Sequence, residues 1–257
     1  MNTHQAHTLA FRVGALATAV GSCMTLYDST IPSGYAMLRF GSPLAQAWPQ
    51  SLVHPVAPSL VMLGLIVLSL VAAVRPTQAL RTFWAIFLLL MTTYCALHVT
   101  TLNKAEFYGG LWSALWWCWF VYTDSVDPTR LRQDGPRLAT FVLMGTFLPS
   151  ALGKTVPYHS PLLVVRPYGL PALFPNLVIP EGLRTAVMSL VIATEGFLGL
   201  APLLPLRWVL RALPVVITAM FLWDMYLLPA LLPVLSVGVA SWIVLQGSDE
   251  HGDAASE

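Results

Sequence analysis

Four ionisable side chains lie within, or at the end of, strongly apolar stretches, and these residues could do chemistry. Lys154 directly follows the apolar run FLPSALG, and Glu195 lies in the middle of VIATEGFLGLAPLLP. His98 lies near the end of another apolar stretch, and Asp224 lies within ITAMFLWDMYLL. Because a charge at membrane depth is costly, an ionisable residue in such a place is a candidate for function.

Lys154 and Glu195 have different candidate roles. Desolvation lowers the pKa of a lysine, so Lys154 in a dry pocket would be a neutral amine that can accept a proton. The alternative is a lysine that extends its ammonium to the lipid headgroups. Glu195 is expected to face the interior, where it either meets a partner or stays protonated. With His98, these two residues form the predicted catalytic set; a structural hydrogen bond is the alternative for Glu195.

Further polar side chains could line a pocket beside that set. Tyr94, His98 and Thr101 fall at i, i+4 and i+7, which places them on one face of a helix. A satisfied interior histidine is the alternative interpretation of His98. The predicted cofactor-binding residues are Tyr94, Tyr158, His159 and Arg166.

The last three of those residues belong to a proline-rich segment between Gly153 and Arg184. Its repeated prolines forbid a helix and predict a stiff loop that could cover a pocket.

No metal site is predicted. The three cysteines, Cys23, Cys95 and Cys118, form no C-x-x-C pair, which argues against structural zinc. Haem is disfavoured because no second histidine accompanies His98 inside an apolar stretch.

Composition predicts the fold class. The chain has 257 residues, of which 56% are hydrophobic and 10% charged, whereas an average water-soluble domain carries about 25% charged residues. The sequence therefore predicts an all-α, polytopic transmembrane helical bundle with seven or eight spans, eight being favoured. The net charge of +1 gives no basic field that would attract nucleic acid.

Eight apolar stretches are candidate spans, each near the roughly 20 residues that a crossing helix needs. They are Leu9–Leu26, Val56–Val74, Phe83–Leu102, Phe107–Tyr122, Leu138–Leu152, Thr185–Leu204, Ala212–Leu228 and Ala230–Leu245. The last two form one run interrupted by Pro229 and Pro233, so one kinked helix or a hairpin of two would fit. We expect one helical domain over residues 1–246 and an acidic, disordered tail over 247–257.

The arginine distribution predicts an orientation. Arg12, Arg75, Arg81, Arg130, Arg132, Arg137, Arg207 and Arg211 would lie on the side that carries the N-terminus, in the cytoplasm. The predicted location is the bacterial inner membrane. Arg130, Arg132 and Arg137, with Asp124, Asp127 and Asp134, would form a basic loop that fixes topology.

Two segments resemble a known superfamily. FVLMGTFLPSALGKTVPYHSPL and EGLRTAVMSLVIATEGFLGLAPLLPLRWVLRALP are similar to the membrane core of DoxX- and MauE-like proteins. They also resemble the HTTM domain of vitamin K-dependent gamma-carboxylase, as does LNKAEFYGGLWSALWWCWFVYTDSVDP. The resemblance covers roughly residues 56 to 225, and it implies that Lys154 stands where the carboxylase members carry their catalytic base.

Several functions stay open on this basis. The first is a redox-linked or maturation factor. It would have a pocket near the outer leaflet for a quinone or a lipid-like molecule, and a quinone is the cofactor considered. The second is a non-catalytic accessory subunit of a larger membrane complex, the third a small transporter, and the last a true carboxylase. The expected partners are the lipid bilayer and other membrane or exoplasmic redox subunits, with no nucleic acid. Whether the chain is an enzyme stays undecided.

Overall fold

The part of the chain that the structure describes folds into α-helices. The computed structural model describes residues 1–30, 56–98, 104–155, 180–223 and 227–247, and at some helix ends it describes the backbone only. Its helices are α1 (Thr3–Thr30), α2 (Val56–Val74), α3 (Gln78–His98), α4 (Lys104–Val126), α5 (Pro128–Thr155), α6 (Glu181–Gly199), α7 (Leu206–Trp223) and α8 (Leu227–Leu245). A short 3-10 helix, Ala201–Leu203, follows α6. The described residues are all-α, with eight α-helices and one short 3-10 helix, where the sequence predicts seven or eight membrane spans.

The prediction that these helices cross a membrane is wrong for the part of the chain that the structure describes. No helix there combines the length and the apolar character that a crossing requires. In α5, the polar run PTRLRQDGPR occupies the first turns and shortens the apolar part. The predicted integral-membrane location, in a bacterial inner membrane with a cytoplasmic N-terminus, is corrected on the same ground.

Helix α8 lies at the centre of the bundle. It packs against α1, α4, α5 and α7, while α2 packs against α1 and α3, and α3 against α4. Helix α5 packs against α4, α6 and α8. This arrangement buries one continuous apolar core between α1, α3, α4 and α8.

One end of the bundle is defined by close contacts between helix termini. Gly247, which follows α8, meets Ala6 near the start of α1. The Gln78 side chain, at the start of α3, donates a hydrogen bond to the Val121 carbonyl near the end of α4 (3.2 Å). Helices α1, α3 and α5 therefore begin at this end, and α2, α4 and α8 finish there. We refer to it as the arginine end, because Arg75, Arg81 and the arginines of early α5 belong to it.

Two helix starts at this end are capped by side chains. The Gln5 amide donates to Asn2 Oδ1 (2.9 Å) and the Asn2 amide to Gln5 Oε1 (3.4 Å), which is a reciprocal capping box for α1. At α5, Asp127 accepts from the Arg130 amide (3.2 Å), and Pro128 takes the first helical position. Both caps satisfy amides that would otherwise lack partners.

The cap on α5 explains a boundary that an apolar-run search misses. Helix α5 begins at Pro128, whereas the apolar stretch begins at Leu138. The first turns are polar on their outer side, where Arg130 pairs with Asp134 at i, i+4 (3.1 Å). Leu131 is fully buried on the inner side. The residues expected to form a loop therefore form an amphipathic helix start.

The last apolar run forms two helices, as the hairpin alternative predicts. Helix α7 ends at Trp223 and α8 begins at Leu227. Pro229 and Pro233 both lie inside α8, so these prolines do not separate the two helices. A proline costs least in the first turn of a helix, where its missing amide has no intrahelical partner.

The core between α1, α3 and α4 is aromatic. The ring of Phe11 lies edge-on to Trp84 (5.1 Å between centroids) and to Trp117 (6.3 Å), and Trp84 lies edge-on to Trp117 (5.7 Å). Edge-to-face pairs of this kind are favourable beyond the area that they bury. The Trp84 indole also donates to Ser69 Oγ (2.8 Å), which ties α3 to α2.

Gly14 is required by the same packing. A Cβ at this position would overlap the Trp117 ring. We expect Gly14→Ala to lower the free energy of unfolding by about 1–3 kcal/mol, the usual cost of overpacking a core. Thermal or denaturant unfolding would measure this loss.

The matched control is Gly196→Ala in α6, where a Cβ meets no atom within 4 Å. This variant should keep or slightly raise stability, because alanine restricts the unfolded chain more than glycine does. Equal effects of the two alanines would contradict the proposed Gly14–Trp117 contact.

Candidate functional site

Three polar side chains from three helices meet near the arginine end, inside the bundle. His7 Nδ1 of α1 lies 2.6 Å from Asp124 Oδ1 of α4. Arg81 of α3 donates from Nη1 to Asp124 Oδ2 (2.7 Å) and from Nη2 to Thr8 Oγ1 (2.9 Å). His7 is 1% exposed and Arg81 is 4% exposed. Asp124 thus bridges two buried side chains, and we call His7, Arg81 and Asp124 the polar cluster.

The local fold explains why these residues meet. Arg81 lies in the first turn of α3, where its amide donates to the Thr77 carbonyl (2.9 Å). Asp124 lies in the last turn of α4, and His7 lies in the second turn of α1. Because α4 runs antiparallel to α1 and α3, the three positions reach the same level of the bundle.

The electrostatics of the polar cluster are dominated by burial. Burial lowers the pKa of the Arg81 guanidinium, whereas the charge and the hydrogen bond of Asp124 raise it; the nearby Arg12 lowers it further. A guanidinium nevertheless keeps its charge at physiological pH. The Arg81 guanidinium also lies over the Phe11 ring, 5.0 Å from its centroid, in a cation–π contact. Asp124 is therefore the counter-ion that makes burial of Arg81 tolerable.

The bond to Asp124 orients the His7 ring. A neutral histidine whose Nδ1–H donates to a carboxylate presents a bare Nε2, which is the arrangement that orients a general base. His7 Nε2 and Arg81 Nε make no hydrogen bond within the described residues. A substrate cannot reach an imidazole that is 1% exposed. In this structure the polar cluster therefore positions α1 against α3 and α4.

The structure buries one residue of the predicted catalytic set in α6. Glu195 is 2% exposed. Gly199 follows Glu195 by four residues on α6. The backbone of Gly199 packs so closely against Leu148 of α5 that a Cβ built on Gly199 would lie 2.8 Å from the Leu148 Cα. Residues four apart share a helix face, so Glu195 faces α5. Its predicted catalytic role stays a prediction.

Of the predicted pocket residues, Tyr94 is half-buried and packs with Met62 and Met91 between α2 and α3. His98 and Lys154 lie in the last turns of α3 and α5, with side chains outside the described part of the structure. Tyr158, His159, Arg166 and the rest of the proline-rich segment before residue 180, together with Asp224, also lie outside the described residues. The structure therefore does not test a contact between Lys154, Glu195 and His98.

Sequence reasoning missed the polar cluster. The sequence predicts a role in topology for Asp124 and Arg81, and it predicts no role for His7. The position of these residues could have indicated the cluster. All three lie near helix ends, and these ends come together when successive helices run antiparallel. Among the described residues no group of three or more His, Cys, Asp or Glu side chains could hold a metal ion.

The outer surface of the bundle is the second unusual feature. Large apolar side chains are exposed on each of α1 to α7, whereas none is on the described part of the central α8. Among the described helices, α2 contributes the largest number of them: Leu60, Leu63, Val67, Leu70, Val71 and Val74. Other examples are Leu16, Phe83, Ile86, Trp112, Phe141, Leu190 and Trp208.

Comparison of the chain with protein-family models, with curated proteins and with solved structures found no match. The resemblance to DoxX-, MauE- and HTTM-type proteins is left without support. The predicted redox or maturation factor with a quinone pocket is wrong, since its premise was a bundle of crossing helices and no described helix can cross. The membrane-complex subunit and the transporter relied on the same premise and are corrected with it.

Removal of Asp124 should be costly. Asp124→Ala would leave Arg81 buried without its counter-ion, so we expect a loss of about 3–5 kcal/mol in the free energy of unfolding. Asp134→Ala, at the exposed pair with Arg130, is the matched control and should cost at most about 1 kcal/mol. Denaturant unfolding would measure both.

A double variant tests the coupling directly. Because Arg81 and Asp124 compensate each other, Arg81→Leu with Asp124→Leu should lose less stability than the sum of the single variants. Strictly additive losses would show that the two charges do not depend on each other.

Cys118 provides a probe of burial near the core. Its thiol donates to the Ala85 carbonyl (3.3 Å), and burial raises its pKa. Since only the thiolate reacts readily, we expect iodoacetamide to modify Cys118 far more slowly than the exposed Cys23. Mass spectrometry of a Cys95→Ser background would give both rates, and equal rates would contradict the burial of Cys118.

The same pKa shift predicts a pH dependence of stability. Below the unfolded-state pKa of about 8.5, the thiol is neutral in both states and its contribution to stability is complete. As the pH rises from there towards the higher folded-state pKa, the unfolded chain loses its proton first, and stability falls. Urea unfolding at pH 8 and pH 10 should show a smaller fall for Cys118→Ser than for the unmodified chain.

Proposed function

We propose that the chain is a lipid-binding helical protein whose outer surface is covered by acyl chains. The observation that carries this proposal is the exposure of large apolar side chains on α1 to α7, all around the bundle. The proposal concerns contact between this surface and acyl chains, and it does not require that any helix cross a bilayer.

The energetic argument rests on the extent of the exposed apolar surface. Each Å² of apolar surface removed from water contributes roughly 25 cal/mol, so the exposed side chains are a strong driving force for association. Monomeric proteins in water rarely expose apolar patches larger than a few hundred Å². Leu60, Val74 and Val215 are 63%, 73% and 70% exposed, although each belongs to a regular helix.

The distribution of this surface favours a fluid apolar partner over a single protein partner. A protein interface covers one patch, with a hydrophobic centre and a polar rim. Here α2 packs against α1 and α3, whereas α5 packs against α4, α6 and α8, so the two helices lie on different sides of the bundle. Both expose large apolar side chains, including Val67 on α2 and Phe141 on α5. Acyl chains can cover both sides at once.

The interior of the bundle agrees with this role. Polar side chains such as His7, Arg81 and Ser69 are buried and hydrogen-bonded, while the outer faces are aliphatic and aromatic. The specific polar contacts that hold the helices together are thus inside, where an apolar solvent would strengthen them.

Vesicle flotation without detergent tests the proposal. We expect the purified chain to float with phosphatidylcholine vesicles. The triple variant Leu63→Gln, Val67→Gln, Leu70→Gln should float at least about two-fold less, since it removes apolar contact area. Its thermal stability should change little, because these side chains are exposed.

The control variant His4→Gln, Gln133→Ser changes two exposed polar side chains, and it should float like the unmodified chain. A chain that stays monodisperse in buffer free of lipid and detergent, and that does not float, would overturn the proposed function.

A further inference from the structure

We propose that α2 carries a binding site for a single anionic amphiphile, with the acyl chain along the helix and the anionic head group on Arg75. This inference rests on the proposed lipid contact and adds to it a specific site and a specific charge. Two features support it: an aliphatic groove on α2, and Arg75, which directly follows α2 and makes no ion pair with any residue that the structure describes.

The groove is shallow and open on its outer side, and it runs along the outer face of α2. It has a volume of ≈ 470 Å³ and is lined by Leu60, Leu63, Gly64, Val67, Leu68 and Val71. Every lining side chain is aliphatic, apart from the glycine. From Leu60 to Val71 the helix rises roughly 16 Å, a length that an extended acyl chain can follow.

Gly64 opens the floor of the groove. A Cβ built on Gly64 would meet one neighbouring atom, Phe87 Cζ of α3, at 3.7 Å, which is an ordinary van der Waals distance. A Cβ can therefore be added at Gly64 without a clash with α3. This makes Gly64 a position where the groove can be filled by substitution.

Arg75 lies one helical turn beyond Val71, the last residue that lines the groove. Its amide donates to the Val71 carbonyl (2.9 Å), which continues the helical hydrogen-bond pattern of α2 by one residue. Val67, Val71 and Arg75 are four residues apart, so their Cα atoms follow one face of the helix. Arg75 is exposed and makes no ion pair with any residue that the structure describes. Its guanidinium is thus available to a carboxylate or phosphate group, which it can bind in a bidentate manner.

The charge of Arg75 favours an anionic amphiphile over a second copy of the chain. Helix α2 contains no acidic residue, so two α2 faces packed together would leave both Arg75 side chains without a carboxylate partner on that helix. An amphiphile with one acyl chain and an anionic head group matches both parts of the site. The aliphatic groove takes the chain, and the guanidinium takes the charge.

Photo-crosslinking with two probes tests the inference. The first probe is palmitate that carries a diazirine in its chain, and the second is the corresponding uncharged alcohol. After irradiation in detergent micelles, proteolysis and mass spectrometry locate the labelled residues. We expect the carboxylate probe to label α2 of the unmodified chain above all other helices.

Two variants separate the parts of the site. Arg75→Gln should lower α2 labelling by the carboxylate about five-fold, the loss expected for one guanidinium near a lipid head group, and leave labelling by the alcohol unchanged. Gly64→Leu should lower α2 labelling by both probes, because it fills the groove. The controls are Arg137→Gln, an exposed arginine on α5, and Gly196→Leu on α6, and neither should change α2 labelling.

The outcomes distinguish this inference from the proposed function. Labelling that is spread evenly over the outer helices and is insensitive to Arg75→Gln and Gly64→Leu would overturn the α2 site, while acyl-chain contact would stand. An absence of labelling on every outer helix would overturn both. A dimer with α2–α2 cross-links, formed without the probe, would show that a second copy covers the groove and would also overturn the site.

Discussion

The bridge that Asp124 makes between His7 and Arg81 is the interaction on which the arrangement of the bundle depends. A guanidinium cannot be buried alone, because the loss of its hydration costs several kcal/mol. Arg81 is buried only where α1 and α4 supply Thr8 and Asp124 as partners. The need to pair the Arg81 charge therefore fixes how far α1, α3 and α4 are shifted along one another. Apolar contacts alone are non-directional and would not fix this shift.

Aromatic packing continues this constraint into the core. Phe11 lies one turn after His7 on α1, and its ring contacts both Arg81 and Trp84. The neighbouring Trp117 fits against Gly14. The position of α1 that brings His7 to Asp124 is therefore also the position that places Gly14 against the Trp117 indole. Because the two requirements agree, α1 can occupy one position only. The central helix α8 then completes the core by packing against α1, α4 and α5.

Directional hydrogen bonds hold the described interior together, whereas the outer faces of the helices are mainly apolar. The interior joins helices through named hydrogen bonds, such as Trp84 with Ser69 and Gln78 with Val121. The outer faces carry aliphatic side chains, among them those that line the α2 groove. A surface of this kind can accept flexible acyl chains, since they need area and no fixed geometry.

The sequence by itself determined the helical class of the described residues, because long apolar runs separated by prolines and charges leave few alternatives to an all-α chain. It determined the extent of α2 to the residue, Val56–Val74, and the burial of Glu195. It could not determine that residues 128–137 are helical, because that depends on the Asp127 cap and on Leu131 reaching the core. Only the tertiary structure decided that His7, Arg81 and Asp124 meet and that no described helix is suited to cross a membrane. The physical reason is that periodicity reports which face of a helix is apolar, whereas the pairing of distant charges depends on which helices become neighbours.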